Sequence, residues 1–248
     1  NGRHAVCKIQ RQIFGAVLSA HSRFGASGAH RWMRCPGSVQ LASKFPNVSS
    51  IFAEEGTMIH EAASHELLNI PHSWSLNDEQ RFVADEYIKL VRAEAFGGEL
   101  FVETKFKLPY HDEFWGTADA VIVHDNQLKV VDLKAGRGVN VEADYNGKVN
   151  PQLGFYALGA CAFLHKFDWD CIEVIICQPR LGGVKRRFVT QEELSELASE
   201  MIIAAELAVQ ENPPFKAGSH CKFCLASPVC ATLRDFVYET ARLDFDAA

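Results

Sequence analysis

The 248-residue chain has no apolar run approaching the ~20 residues a helix needs to cross a bilayer, which excludes a helical membrane span. It also lacks an excess of positive charge. With 25 Lys and Arg against 31 Asp and Glu, the formal net charge is −6. Its overall field therefore repels polyanions, and a nucleic-acid function requires a local basic groove or a bound cation at the phosphate. A complete phosphate-binding loop is missing too. Gly147-Lys148 has the end of that motif, but Glu142 stands where its first glycine belongs and Val149 where Ser or Thr is needed, so no ATP-driven motor is encoded. There is no internal repeat, low-complexity tract or long linker, so the reading is one domain. Eight cysteines are too few for a disulfide scaffold of this size. What is present, 48% apolar and 23% charged residues, is the composition of an ordinary globule and not of a disordered chain or fibre.

At the start, Arg3, Lys8 and Arg11 precede the short apolar stretch Ile13 to Ala20. A secretory signal has that order, but the stretch is short. Residues 1–24 are read as a poorly ordered extension, 25–238 as the domain and 239–248 as a tail. Ser27 can cap a short helix carrying His30, Arg31, Trp32 and Cys35, ended by Pro36-Gly37. Helices are expected over Ala53 to Leu68 and from the Asn77/Gln80 capping box to about Ala95. Glu99 to Lys107, Gly116 to His124 and Gln127 to Lys134 are rich in Val, Ile, Phe and Thr and predict three strands in a meander. Pro151 opens a helix to about Leu164. Strands Cys171 to Gln178 and Val184 to Val189 join through Gly182-Gly183, and Thr190 with Glu193 caps a long helix before Pro213-Pro214. This order is α+β.

Asp132-Leu133-Lys134 lies at a strand end, where residues two apart share a face, so a carboxylate and an ammonium project together. Asp119 lies on the preceding strand, where antiparallel pairing can bring it beside Asp132. Two such carboxylates repel unless a cation joins them, and oxygen ligands suit Mg²⁺ or Mn²⁺. A dication there can polarise a phosphodiester and activate water, with Lys134 orienting the nucleophile or countering developing charge. His60 stands upstream in a helix, and Gln152 and Tyr156 share a helical face downstream at i and i+4. Glu103 can join a second metal shell, but Lys105 and Lys107 beside it favour a solvated ion pair.

The ordered set G-x-x-x-H, G-x-x-D, D-x-K and Q-x-x-x-Y, over roughly residues 27 to 234, resembles the RecB-like branch of the PD-(D/E)XK nuclease superfamily. The resemblance implies a restriction-endonuclease-like core: a central mixed sheet flanked by helices, with N-terminal helices and a C-terminal cysteine-rich segment closing a metal cluster. It implies His60, Asp119, Asp132 and the Leu133 carbonyl as metal ligands, Lys134 as the catalytic lysine, and Gln152 and Tyr156 as residues that contact nucleic acid and support it. The activity so implied is a Mg²⁺- or Mn²⁺-dependent deoxyribonuclease, an exonuclease on DNA ends or single strands. The small size resembles phage-encoded recombination exonucleases and CRISPR-adaptation nucleases. This suggests a single-strand-annealing or single-strand-binding partner, a role in recombination or repair, and a cytoplasmic setting in a bacterial host. The alternative is a non-catalytic iron–sulfur DNA-binding subunit.

Cys221-Lys222-Phe223-Cys224 followed by Cys230 makes a C-x₂-C-x₅-C run, three ligands for a soft metal centre. The iron–sulfur nucleases of the same superfamily place one cysteine before the core and three after it, which makes Cys35 the fourth and implies a [4Fe–4S] cluster. Zn²⁺ is the rival, equally served by four thiolates, and a disulfide is the plainer alternative. Phosphate contacts are expected from Arg31, Arg137, Lys148 and the run Lys185-Arg186-Arg187. A basic hairpin of that kind also serves as a solvated edge that blocks strand pairing.

Overall fold

The computed structural model describes residues 8–10 and 22–246. In chain order these form β1 (Lys8–Gln10), α1 (Ala29–Trp32), α2 (Gly37–Ala42), α3 (Ile51–Leu67), α4 (Asp78–Glu94), β2 (Glu99–Lys107), β3 (Trp115–His124) and β4 (Gln127–Leu133). A small hairpin, β5 (Asp144–Tyr145) and β6 (Lys148–Val149), precedes α5 (Pro151–Phe163), β7 (Cys171–Gln178), β8 (Gly183–Phe188), α6 (Gln191–Ala208) and α7 (Ala231–Asp246). The fold is α+β. Its six-stranded sheet runs β1-β2-β3-β4-β7-β8, with β1/β2 and β4/β7 parallel and the other neighbours antiparallel.

Local chemistry explains most boundaries. The Asn77/Gln80 and Thr190/Glu193 capping boxes both form, each satisfying two backbone N–H groups that have no partner within the helix. Asn150 caps α5, with Pro151 at its first position, where a missing N–H costs nothing. The expected β2-β3-β4 meander is present, and α5 crosses over to make β7 parallel to β4. Two local expectations are corrected. Ser27 lies inside a 3₁₀ turn and caps nothing, and Pro36-Gly37 opens α2 instead of only closing a helix. Of the N-terminal extension, residues 8–10 form an edge strand. Residues 22–24 belong to the packed domain, with Phe24 fully buried in the core, and residues 1–7 and 11–21, with Cys7 and the signal-like stretch, lie outside the described residues. At the other end α7 continues as helix to Asp246. Among the described residues no helix is long and apolar enough to cross a membrane.

Two cores sandwich the sheet. Phe101, Val121, Val130 and Val174 pack with Leu153, Ala157 and Leu197 of α5 and α6. Leu100, Ile122, Val131 and Ile175 pack with Ile59, Ala63, Val83 and Val91 of α3 and α4. Strict alternation along β2 and β3 fails at one place. Val102 and Ala120 belong to the α3–α4 core, yet Phe106 and Ala118, also even-numbered, belong to the α5–α6 core. Between them lies Glu103 at φ 47°, a left-handed backbone that a non-glycine residue adopts only at a cost. The break lets Glu103 and Asp119, which lie between the pairs Val102–Ala120 and Thr104–Ala118, meet His60 of α3.

Candidate active site

His60 projects from α3 toward the kinked strands, its Nδ1 3.4 Å from Asp119 Oδ1. The ligand atoms of His60, Glu103 and Asp119 lie within 4.8 Å of one another, and they are the only such trio among the described residues. The recorded β3–β4 pairs end at Ala120–Val131, and the next free amide, Leu133 N–H, donates to Asp119 Oδ2 at 2.7 Å. That bond fixes the carboxylate against the end of β4.

From β4, Asp132 and Lys134 project to the opposite side, toward α5. Lys134 Nζ lies 2.7 Å from Asp132 Oδ2 and donates to Gln152 Oε1 at 2.8 Å. Gln152 Nε2 donates to Asp132 Oδ1 at 3.0 Å and to the Tyr156 hydroxyl at 3.3 Å. The i, i+4 spacing of Gln152 and Tyr156 thus closes a ring of contacts around the lysine. The segment after Lys134 is tied down: Lys134 N–H bonds Cys177 O, Arg180 bonds Ala135 O, and buried Gln178 donates to the carbonyls of Gly136 and Val139. A rigid backbone here keeps the lysine in place.

The electrostatics reflect carboxylates crowded together with little solvent. Burial pushes Glu103 up to about 8, reinforced by Asp119 and only partly opposed by His60. Burial likewise lifts Asp132 to about 6, with Asp119 adding to it and Lys134 pulling back. Burial opposes charge on His60, but the charge and hydrogen bond of Asp119, then Glu103 and Asp132, outweigh it and raise His60 to about 9. Asp119 is held below the usual carboxylate range: burial works against its charge, but His60, Lys134 and the Leu133 amide prevail. The two halves of the site therefore act on each other's charge.

Glu103 corrects the sequence reading. Lys105 sits over the Trp115 ring, 3.7 Å from its centroid, and Lys107 pairs with Asp112, so the carboxylate enters the His60–Asp119 cluster and not a surface ion pair. A second residue was not anticipated at all. Tyr87 of α4 is buried, its hydroxyl finds no hydrogen-bond partner among the described residues, and Asp119, Glu103 and Asp132 all raise its pKa further after burial has done so. An orphaned hydroxyl in the field of three carboxylates suits a site that holds a hydrated cation. The N/O donor set of His60, Glu103 and Asp119 fits Mn²⁺ or Mg²⁺.

The four cysteines also meet. Cys35, Cys221, Cys224 and Cys230 line one small cavity, all with free thiols, and Lys216 N–H points at Cys35 Sγ at 3.4 Å. Cys161 and Cys177 are buried in apolar surroundings that push their thiols up to about 11 and about 12, as for packing residues. The basic candidates divide. Lys148 pairs with Glu200, Arg137 with Glu79, Arg186 with Glu94 and Glu173, and Arg187 with Asp144 and Glu193. Lys185 is turned onto the Val141 carbonyl and Asn140. Carboxylates thus already occupy most of the hairpin's charge. Arg31 differs, donating to Ser38 Oγ at 2.7 Å beside an open groove.

Together the fold and cluster define an α+β protein with a candidate divalent-cation centre and a separate cysteine-lined cavity. Residues 21–248 match the family described as "Protein of unknown function (DUF2800)", and the chain belongs to that family. Two solved structures are among those similar to it. One, "Crystal structure of SSO0001", is 16% identical over 87% of this chain and 88% of its own, at a TM-score of 0.37. The other, an alkaline exonuclease (LHK-Exo) from Laribacter hongkongensis, is 13% identical over 72% of this chain and 92% of its own, at a TM-score of 0.34. Likeness at that level carries no statement about the site.

Proposed function

We propose that the protein is a Mg²⁺- or Mn²⁺-dependent deoxyribonuclease acting on DNA ends or single strands. The observation that carries this reading is the meeting of a His60–Glu103–Asp119 cluster with a mutually bonded set of buried Asp132 and half-buried Lys134 and Gln152 at one end of β4. His60, Glu103 and Asp119 would hold the cation, with the Leu133 carbonyl as a further ligand, while Asp132, outside that trio and bound to Lys134 and Gln152, would add its negative charge from the other face. A cation held by these residues would supply Lewis acidity to the phosphodiester and would lower the pKa of a bound water. Lys134, its ammonium kept charged by Asp132 and oriented by Gln152, counters charge developing on the phosphate. Tyr156 fixes the Gln152 amide and so acts through it. Cleavage on this reading leaves a 5′-phosphate and a 3′-hydroxyl.

We assign a [4Fe–4S] cluster to Cys35, Cys221, Cys224 and Cys230. All four line one cavity, which supports one shared centre, and the choice of cluster over zinc rests on the resemblance to the iron–sulfur nucleases. We extend this reading to a role in recombination or repair beside a single-strand-annealing or single-strand-binding partner.

The test is direct: protein purified without oxygen is incubated with end-labelled single- and double-stranded DNA and Mn²⁺. Cleavage blocked by chelation is expected, and intact DNA under all conditions would remove the assignment. A second expectation concerns protons. Without the cation, His60 near 9 and Glu103 near 8 both carry protons at pH 7. A cation must displace them, so its affinity rises from pH 7 to 9 and falls toward pH 6. Calorimetry in buffers of different ionisation enthalpy should show net proton release at pH 7, and a pH-independent affinity would contradict it.

A further inference from the structure

A groove of about 730 Å³ leads away from Lys134 and Gln152. Arg31 and Arg34, on and just after α1, form one part of its wall, and Lys222 and Phe223 of the cysteine segment form another. None of its lining residues is acidic, although the chain carries six more acids than bases. That separates it from the β8 hairpin, whose arginines are already matched by carboxylates. Among the described residues no carboxylate pairs with Arg31, Arg34 or Lys222. Arg31 is held by Ser38, so its guanidinium is partly ordered in advance. Phe223 is 72% exposed at the rim, so its ring face is open to a flat partner within the groove.

We propose that this groove is a track for single-stranded DNA, with phosphates on Arg31, Arg34 and Lys222, one base stacked on Phe223, and the strand leading to Lys134. The choice of DNA rests on the nuclease reading above; the single strand follows from the groove itself. A duplex keeps its bases stacked inside and has no free face for an exposed ring, whereas an unpaired base does. Unpaired cations in a chain of opposite net charge supply the sequence-independent attraction that a backbone requires. The groove also shares a wall with the cysteine cavity. Arg31 lines both, and Lys222 and Phe223 are the two residues between Cys221 and Cys224. Whatever the cysteines hold therefore sets where the ammonium and the ring stand over the track.

Binding is measured by fluorescence anisotropy of a labelled oligo-dT strand on the full chain, in EDTA so that nothing is cut. Arg34→Ala and Lys222→Ala are each expected to flatten the slope of log K against log salt by about 0.7. Phe223→Ala should weaken binding by about fivefold or more while leaving that slope unchanged. Lys89→Ala, at an exposed position on α4, should do neither. Circular dichroism establishes that each variant is folded. An unchanged slope in both cation variants overturns the groove, whether or not the protein cuts DNA. A blunt duplex or the matched RNA binding as tightly as oligo-dT overturns it too. Binding that responds as expected in a protein that never cleaves keeps the groove and removes the nuclease reading instead.

Discussion

Exchanging Asp132 for asparagine should lower metal-dependent DNA cleavage by about 10²- to 10³-fold or more while leaving the fold in place. Asparagine keeps the size of the side chain and can still accept the bond from Gln152 Nε2, so the packing around α5 survives. What disappears is the charge that holds Lys134 at 2.7 Å and contributes to the cation site. The side chain is almost fully buried and its folded pKa is raised to about 6, so its ionised form is disfavoured in the folded chain. The stability it contributes is present below the unfolded pKa of ~3.9 and lost as pH rises through about 6. Stability near neutral pH therefore does not depend on keeping this carboxylate, and the melting midpoint should stay close to that of the parent. Retained cleavage would exclude Asp132 from the chemistry. Glu103→Gln provides a companion measurement, because it should weaken cation binding without disturbing the Lys134–Gln152 contact, which lies on the other face of the sheet.

Cys35→Ser should destabilise the protein by about 4–5 kcal/mol, read as a lower urea midpoint, if the four thiols share one bound group. The effect is large because the link from residue 35 to residue 221 closes about three quarters of the chain, and the entropy removed from the unfolded state grows with the logarithm of the loop. The same variant should lose the brown colour of an iron–sulfur centre. A variant that loses the colour yet unfolds at the parent's urea concentration would show that the group decorates the fold without closing it. Because Arg31 lines both the cysteine cavity and the groove, this substitution is also expected to weaken single-strand binding.

Much of this was legible before any coordinates. His60, Asp119, Asp132, Lys134, Gln152 and Tyr156 stand in an order whose spacing can be read directly, and the Asn77 and Thr190 caps mark helix starts by chemistry that is local in sequence. Glu103 was not legible, because its placement depends on a left-handed residue that interrupts the alternation from which a strand's facing is inferred. With regular alternation, the neighbouring lysines would indeed have been its natural partners. The ion pairs of the basic hairpin were hidden for a different reason. The acids that occupy it, Glu94, Glu173, Asp144 and Glu193, come from four separate stretches that only tertiary folding brings near. Tyr87 gives no sequence signal, since a buried tyrosine on an amphipathic helix looks like any other core residue.

The cation ligands and the lysine set face opposite layers, so each half inherits its stiffness from a different hydrophobic body: α3 and α4 for one, α5 and α6 for the other. Substitutions that soften the first body would loosen the grip on the ion and spare the ammonium; those that soften the second would do the reverse. Ion capture and charge compensation can thus drift apart under mutation, each tuned without retuning its neighbour, with only the short end of β4 obliging them to remain in step.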